Sequence, residues 1–261
     1  MKLIVSDLDG TFLDDSGRIP EVNLRAVAAA ARAGVPFVVA TGRPVRWLDV
    51  LAPLGPEQPL VIASNGALVW DRLAGEPVVR SEFALEAARE VVARLRGIDG
   101  LSIGVETVAG FSCEPGCPAL PVPGATVAAV DELLGGGPLK LLGYHPGLGT
   151  DELAELATAA VGAAATVTHS GTGRYGLVEI SAPGVTKASA LRLLCERLGV
   201  AAADVVAFGD QPNDLAMLAW SGRPHVVANA HPSLLGRGFA LVGPSTEGGV
   251  GRRILDLLGD S

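Results

Sequence analysis

The feature that most limits the possible folds is an alternation of short apolar segments with helical segments at both ends of the chain. Near the N-terminus, apolar runs without a polar/apolar alternation lie at residues 2–6, 35–40 and 60–63. Helices are predicted between them at 21–33 and 44–54. Short apolar strands that are separated by helices are typical of a parallel sheet with both faces covered.

The middle of the chain has a different pattern of predicted helices and strands. Residues 84–181 are predicted to form a separate α/β module of about a hundred residues, within the normal size of a domain. A Gly- and Pro-rich piece at 110–124 interrupts its helix and strand patterns. After the module the first pattern returns, with a strand predicted at 204–208 between helices at 186–198 and 215–220. The chain is therefore predicted to form one α/β domain from its two ends, interrupted by an inserted module.

The bulk composition excludes several classes of protein. The chain has 261 residues, of which 49% are hydrophobic and 18% charged, as expected of a folded protein. The formal net charge is −8 and no Lys/Arg block occurs, which argues against nucleic acid and anionic membranes as partners. The acidic Asp7 occurs too early in the chain for the apolar region of a secretory signal peptide to precede it. No stretch offers the roughly 20 consecutive apolar residues of a membrane span. Because its three cysteines do not suggest a disulfide framework either, we expect a cytoplasmic protein.

An acidic segment directly follows the first apolar run and reads Asp7-Leu8-Asp9-Gly10-Thr11. In open parallel sheets, ligands bind beyond the carboxyl ends of the strands. Asp7 and Asp9 are two residues apart on an extended segment, so both can face that crevice, and Gly10 lets the backbone turn close to a ligand. Two neighbouring carboxylates repel each other unless a cation or proton separates them, and a metal ion with an incoming phosphate would do so. Read alone, the segment could also be an acidic turn.

Four further segments carry polar side chains at predicted strand ends or at a helix start. They are Thr41-Gly42-Arg43, Ser64-Asn65-Gly66, Lys187, and residues 209–214 with Asp210, Asn213 and Asp214. A hydroxyl and free N–H groups at a strand-to-helix turn suit phosphoryl oxygens, and a lysine at a helix start opposes the helix dipole unless an anion offsets it. Carboxylate and amide oxygens suit Mg²⁺. Each segment alone also fits a plain turn or a solvated lysine, but chance would scatter them instead of placing all five on the core strands and helices.

In this order, the motifs resemble those of the haloacid dehalogenase superfamily of phosphatases. The resemblance is carried by DLDGT at 7–11, TGR at 41–43, Lys187 in GVTKASAL, and GDQPND at 209–214. Further features resemble the Cof-type branch with its large α/β cap, namely SNGA at 64–67, VANA at 227–230 and EGGVG at 247–251. In the middle of the chain, only the length and the mixture of helix and strand patterns match those of the family. The resemblance implies an α/β fold with a Rossmann-like parallel-sheet core domain at 1–83 and 182–261 and an inserted α+β cap domain at 84–181.

The resemblance also implies a Mg²⁺-dependent phosphatase that hydrolyses a small phosphorylated metabolite, such as a sugar phosphate, through a phosphoaspartyl intermediate. Asp7 would be the nucleophile, Asp9 the general acid and base, and Lys187 a third catalytic residue. The ligands implied for Mg²⁺ are the Asp7 carboxylate, the Asp9 backbone carbonyl, Asp210 and Asp214. The residues implied for phosphate binding are Leu8, Gly10, Thr11, Thr41, Gly42, Arg43 and Asn213.

Two other functions stay open, a non-catalytic sensor of phosphometabolites and a phosphotransferase or phosphomutase on the same fold. The intact Asp7/Asp9 pair argues against a sensor, because a protein that only binds needs no acid/base at that place. A phosphomutase is disfavoured because phosphomutases of this family usually carry a smaller helical cap. In this family the cap selects the substrate, so we expect the leaving group to meet residues in 110–123 or 168–175. His169, Arg174 and Tyr175 are polar candidates there. The sequence identifies neither the leaving group nor the oligomeric state.

Overall fold

The structure, a computed structural model, describes residues 1–117, 122, 124–169 and 175–259. The chain divides into two compact units, one formed by Met1–Val79 with Lys187–Ser261 and the other by Arg80–Thr186. We refer to them as the core unit and the inserted unit. The inserted unit is a few residues longer at each end than the predicted module at 84–181.

The strands are, in chain order, β1 Leu3–Ser6, β2 Phe37–Ala40, β3 Leu60–Ala63, β4 Leu68–Asp71, β5 Glu76–Arg80, β6 Ser102–Glu106, β7 Phe111–Cys113, β8 Thr126–Val127, β9 Lys140–His145, β10 Thr166–Thr168, β11 Gly176–Ser181, β12 Val205–Gly209, β13 Arg223–Val227 and β14 Ala240–Val242. The α-helices are α1 Glu21–Arg32, α2 Leu85–Leu95, α3 Val130–Leu133, α4 Thr150–Val161, α5 Lys187–Leu198, α6 Leu215–Trp220 and α7 Gly249–Leu258.

The core unit is built on a sheet whose described strands follow the order β14-β13-β12-β1-β2-β3-β4-β5. The strands from β14 to β3 are parallel, and β4 pairs antiparallel with β3. Every residue of β1, β2 and β12 is buried, as the continuous apolar runs predict for central strands covered on both faces. Because β12, β1, β2 and β3 are parallel neighbours, their carboxyl ends meet at one edge of the sheet.

The inserted unit contains a second sheet of the order β10-β11-β9-β6-β7-β8 in the described part of the chain. Its pairs are antiparallel except for β7 and β8. Helices α2 and α4 contribute Val91, Leu95 and Leu153 to an apolar core with Val105 and Ile180 of the sheet. The predicted fold class, a parallel-sheet α/β core with an inserted α+β unit, is confirmed by this architecture. Among the described helices, none has the length and apolar composition required to cross a bilayer.

Some local predictions are wrong. The helix predicted at 44–54 is replaced by two 3₁₀ segments, Val45–Trp47 and Asp49–Glu57. Pro53 and Pro56 lie inside the second segment, and Gly55 has a φ of 63° and breaks it. Proline removes an N–H donor and clashes with the preceding turn, so a regular α-helix cannot continue there. The short strand β14 has no counterpart among the predicted strands.

Candidate active site

The site begins where β1 ends. The N–H of Asp7 donates to the carbonyl of Phe208 on β12 at 2.9 Å, which continues the pairing of the two central strands by one residue. The Asp7 side chain is buried, and a carboxylate in such a position needs hydrogen bonds or an opposite charge. The parallel sheet therefore fixes the backbone of Asp7 and leaves its carboxylate at the carboxyl edge.

Lys187, the first residue of α5, supplies that opposite charge. Its Nζ donates to Asp7 Oδ1 at 2.5 Å and to Asp214 Oδ1 at 2.7 Å. The lysine is buried, and burial alone would lower its pKa, but Asp214 and Asp7 raise the pKa above its ordinary value. The two carboxylates also offset the unfavourable place of a cation at a helix N-terminus. One ammonium group thus joins the end of β1 to the loop that follows β12.

That loop is held by hydrogen bonds to its own carboxylates. Asp214 Oδ2 accepts from the backbone N–H groups of Asp210 and Gln211, each at 3.0 Å. Asp210 Oδ1 accepts from Thr11 Oγ1 at 2.7 Å, so the side chain of the predicted phosphate ligand Thr11 positions a carboxylate in this structure. Gly10 has a φ of +76°, and a Cβ there would lie 2.5 Å from Asp210 Oδ2. The close approach of the two loops therefore requires glycine at position 10.

Asp7, Asp210 and Asp214 together could hold a metal ion, since each offers a carboxylate oxygen and these oxygens lie within 4.8 Å of one another. Burial and the charge of Asp214 raise the pKa of Asp7 well above its ordinary value, and the same two causes raise the pKa of Asp210 to about 6. Three buried carboxylates face the single ammonium of Lys187 in this cluster. The excess negative charge and the oxygen donors fit a hard divalent cation such as Mg²⁺.

Asp9 lies apart from these three carboxylates. Its side chain is 53% exposed and its two oxygens accept from Arg43 Nη2 at 2.6 Å and Nε at 2.8 Å. Arg43 also donates to the carbonyl of Trp47 at 3.2 Å. The metal-binding role predicted for Asp9 involves its backbone carbonyl only. The guanidinium that was expected to bind phosphate is engaged with the predicted acid/base.

Other predicted phosphate ligands are placed by backbone hydrogen bonds. Thr41 is buried at the end of β2, and its Oγ1 accepts from the N–H of Arg43 at 3.0 Å, which makes Gly42 the middle of a tight turn. Leu8 is buried, and its carbonyl accepts from Phe12 and Leu13, so a ligand could reach only its backbone. Asn213 is buried beside Asp214. All the residues predicted for catalysis, phosphate binding and metal binding belong to the core unit.

Two asparagines that hydrogen-bond to the loop after β1 were not predicted as functional residues from the sequence. Asn229 Nδ2 donates to the Gly10 carbonyl at 2.7 Å, and its Oδ1 accepts from the N–H of Ser245 at 2.9 Å. Asn23 Nδ2 donates to the Phe12 carbonyl at 2.7 Å. Both support the loop after β1. Asn229 lies in the VANA segment noted above, but neither residue has a spacing that reveals a role without coordinates.

In the inserted unit, His169 Nε2 lies 3.3 Å from Asp151 Oδ1, and Tyr175 is exposed. Arg174, the third polar candidate, lies outside the described residues, as do parts of both stretches that were expected to meet the leaving group. The role of this unit in substrate selection stays a prediction.

Comparison with known proteins identifies the family. A family model described as haloacid dehalogenase-like hydrolase matches residues 4–116 and 130–254. "Putative phosphatase YxeH" of Bacillus subtilis is 30% identical over 98% of each chain, and "HMP-PP phosphatase" of Yersinia pestis is 31% identical over 89% of this chain and 86% of its own. The structure also resembles the phosphatase BT1666 of Bacteroides thetaiotaomicron in fold, with a TM-score of 0.84, 20% identity and coverage of 100% and 96%. The chain belongs to the haloacid dehalogenase-like hydrolases.

Proposed function

We propose that this hydrolase is a Mg²⁺-dependent phosphatase that transfers a phosphoryl group from a small metabolite to Asp7 and then to water. The observation that carries the proposal is the bridge of Lys187 between Asp7 and Asp214, with Asp210 in reach of both carboxylates. A buried nucleophile, a fixed cation and an acidic group suited to a divalent ion are the parts that phosphoryl transfer requires.

In the first step, a carboxylate oxygen of Asp7 forms a bond to phosphorus while the bond from phosphorus to the leaving oxygen breaks. Asp9 gives a proton to that oxygen, and later takes a proton from the water that hydrolyses the phosphoaspartate. Since Asp9 must hold a proton before it can give one, its ion pair with Arg43 has to loosen when substrate binds.

Mg²⁺ would be held by Asp7, Asp210, Asp214 and the Asp9 carbonyl. When bound, the ion supplies positive charge against the phosphoryl oxygens and the carboxylates. Lys187 would supply positive charge from a second side, and Thr41 and Asn213 would hold phosphoryl oxygens. The side chains of Lys187 and Asn213 are already held by hydrogen bonds to Asp7, Asp214 and Asn65, so these two groups need little reorganisation.

We further propose that the substrate is a small phosphomonoester, such as a sugar phosphate, and that the inserted unit selects the leaving group. The relative from Yersinia pestis is named for its action on HMP-PP, which is also a small phosphorylated metabolite. The formal charge of −8 makes local cationic groups necessary for an anionic substrate, and Lys187 and a bound cation would provide them.

Phosphate release from a generic aryl phosphate, with and without Mg²⁺, tests the proposal. We expect turnover that stops in excess chelator, and an Asp7→Asn variant that folds but has only background activity, because an amide cannot act as the nucleophile. Asp15→Asn is the matched control, since Asp15 is an exposed acid on the same loop. Full activity in Asp7→Asn would refute the nucleophile, and undiminished rates in chelator would exclude the metal.

A further inference from the structure

A turn with an unusual backbone follows β3 in the core unit. Its three residues all have positive φ, with 49° at Ser64, 55° at Asn65 and 98° at Gly66. The turn is closed by a hydrogen bond from the Ala67 N–H to the Ser64 carbonyl at 3.1 Å. Left-handed backbone at two consecutive non-glycine residues is uncommon and costs free energy, so surrounding contacts must impose it.

Those contacts come from the active-site loop after β2. The N–H of Ser64 donates to the Arg43 carbonyl at 3.0 Å, and the N–H of Asn65 donates to the Thr41 carbonyl at 3.0 Å. The turn is therefore tied to the segment that carries the predicted phosphate ligands Thr41, Gly42 and Arg43. A right-handed turn would not present these two N–H groups in the same way.

The Asn65 side chain reaches a third site residue. Asn213 Nδ2 donates to Asn65 Oδ1 at 3.1 Å, and both side chains are buried. Asn213 immediately precedes Asp214, which accepts from Lys187. Through its backbone N–H and its side-chain oxygen, Asn65 thus connects the loops after β2, β3 and β12.

Two polar atoms at this junction have no hydrogen-bond partner among the described residues, namely Ser64 Oγ and Asn213 Oδ1. Ser64 and Asn213 are buried, and a buried polar atom without a partner is unfavourable. Buried polar atoms without a partner fit a site that takes up a polar ligand.

We propose that Asn65 is a positioning residue of the phosphate site, holding the Asn213 amide in place through the left-handed turn. The inference rests on the proposed phosphatase function. Asn65 does not itself perform chemistry. It determines where Asn213 lies relative to Lys187 and Asp214, and a displacement of about 1 Å of such a group can cost roughly 100-fold in rate.

Two variants separate this role from a purely conformational one. Asn65→Gly removes the amide but keeps the left-handed backbone at no steric cost, whereas Asn65→Ala removes the amide and also strains the backbone. If Asn65 serves only the turn, Asn65→Gly keeps the activity of the original protein and only Asn65→Ala loses stability and activity. If Asn65 positions Asn213, both variants lose activity although Asn65→Gly, which keeps the backbone unstrained, lowers the melting temperature less than Asn65→Ala.

The measurements are kcat and KM on an aryl phosphate, the affinity for inorganic phosphate in the presence of Mg²⁺, and Tm. For Asn65→Gly we expect kcat to fall about 10- to 100-fold and phosphate affinity to fall about tenfold, with a smaller drop in Tm than in Asn65→Ala. Unaltered kcat and phosphate affinity in Asn65→Gly would overturn the inference while the unchanged protein still hydrolyses the substrate. No phosphate release and no phosphate binding by the unchanged protein would instead refute the proposed function, and the inference with it.

Discussion

At the scale of single residues, the three carboxylates of Asp7, Asp210 and Asp214 are kept close together in a buried position. Lys187 compensates for part of their charge through Asp7 and Asp214, and Thr11 donates to Asp210. This compensation is incomplete, as the raised pKa of Asp7 and that of Asp210 show, both caused first by burial and then by the charge of Asp214. The remaining charge makes cation binding favourable at neutral pH.

A substitution at Gly10 tests whether the position of Asp210 matters for metal binding. Alanine at position 10 would place its Cβ 2.5 Å from Asp210 Oδ2 in a backbone with a φ of +76°. We expect Gly10→Ala to displace Asp210 and to weaken Mg²⁺ affinity roughly 10- to 100-fold, as the loss of a supporting contact at a metal site typically does. Isothermal titration with Mg²⁺ measures the change.

Gly17→Ala is the matched control for Gly10→Ala. Gly17 has a φ of +73°, and no described atom lies within 4 Å of a Cβ placed there. Both variants carry the same backbone strain of about 1–2 kcal/mol, so only the contact with Asp210 differs. Equal Mg²⁺ affinity in the two variants would show that Asp210 tolerates the extra methyl group.

A different prediction concerns Asp9, which lies outside the cluster formed by Asp7, Asp210 and Asp214. Asp9→Asn removes the acid/base but also the ion pair with Arg43, and we expect kcat to fall roughly 10²- to 10⁴-fold with little change in KM. Steady-state kinetics on an aryl phosphate provides both values. A change confined to KM would mean that Asp9 only binds substrate.

The residues that the sequence could reveal are those that follow apolar strands, because the end of a strand in a parallel sheet fixes where the next side chains lie. Asp7, Thr41 and Asp210 are of this kind. The pairing of Asp9 with Arg43 could not be foreseen, since it depends on side-chain directions across two loops. Asn23 was equally hidden, because a buried asparagine inside a helix resembles any polar residue on its surface.

At the scale of elements, the contact of α1 with α7 supports the loop that follows β1. Asn23 on α1 accepts from the N–H of Gly251 on α7 at 2.8 Å and donates to the Phe12 carbonyl at 2.7 Å. A Cβ on Gly251 would lie 2.4 Å from Asn23 Oδ1 and 2.7 Å from the Val22 carbonyl. Gly251 of the EGGVG segment therefore allows the two helices to meet, and no ligand has to be invoked for it.

Replacing Gly251 by alanine tests this packing. Alanine normally favours a helix over glycine by roughly 0.5–1 kcal/mol, but here we expect a net destabilisation of about 1–3 kcal/mol because Val22 and Asn23 must move. Urea unfolding measures the free energy. Gly135→Ala, where no described atom lies within 4 Å of the added Cβ, should change stability little. A more stable Gly251→Ala variant would contradict the close contact.

Helices and strands were predictable wherever one periodicity extended over the whole element. Strand β3 begins and ends at the residues expected from the sequence, and helix α1, predicted at 21–33, ends one residue earlier. The segment after Arg43 was predicted wrongly because its apolar spacing is compatible with a helix, whereas Pro53 and Pro56 restrict it to 3₁₀ turns. The strand β14 was missed because a short, exposed run at a sheet edge carries almost no pattern.

At the scale of the whole molecule, the site is assembled from both ends of the chain within the core unit. Asp7 and Thr11 come from the first segment, and Lys187, Asp210 and Asp214 come from the last. The long sequence separation between Asp7 and Lys187 means that their contact forms only when the core sheet has formed. Occupation of the site by a cation should therefore stabilise the folded core as a unit.

This coupling predicts a pH dependence with a definite sign. In the metal-free folded protein the pKa of Asp210 is about 6, above the ordinary value of 3.8, and that of Asp7 is raised as well. A raised pKa in the folded state favours folding most below pH of about 4 and loses this contribution as the pH passes through about 6. Divalent cations require the ionised carboxylates, so they should compensate for that loss only above this range.

We therefore expect Mg²⁺ to raise Tm more at pH 8 than at pH 5. At a Mg²⁺ concentration of about 100 times Kd, the stabilisation is roughly 2.7 kcal/mol, which corresponds to about 5–10 °C for a chain of this size. At pH 5 protons compete for Asp7 and Asp210, and less than half of the gain should remain. Asp210→Asn, measured at the same ionic strength, is the control and should show little gain at either pH. An equal rise in Tm at both pH values would mean that Mg²⁺ stabilises the protein somewhere other than at these carboxylates.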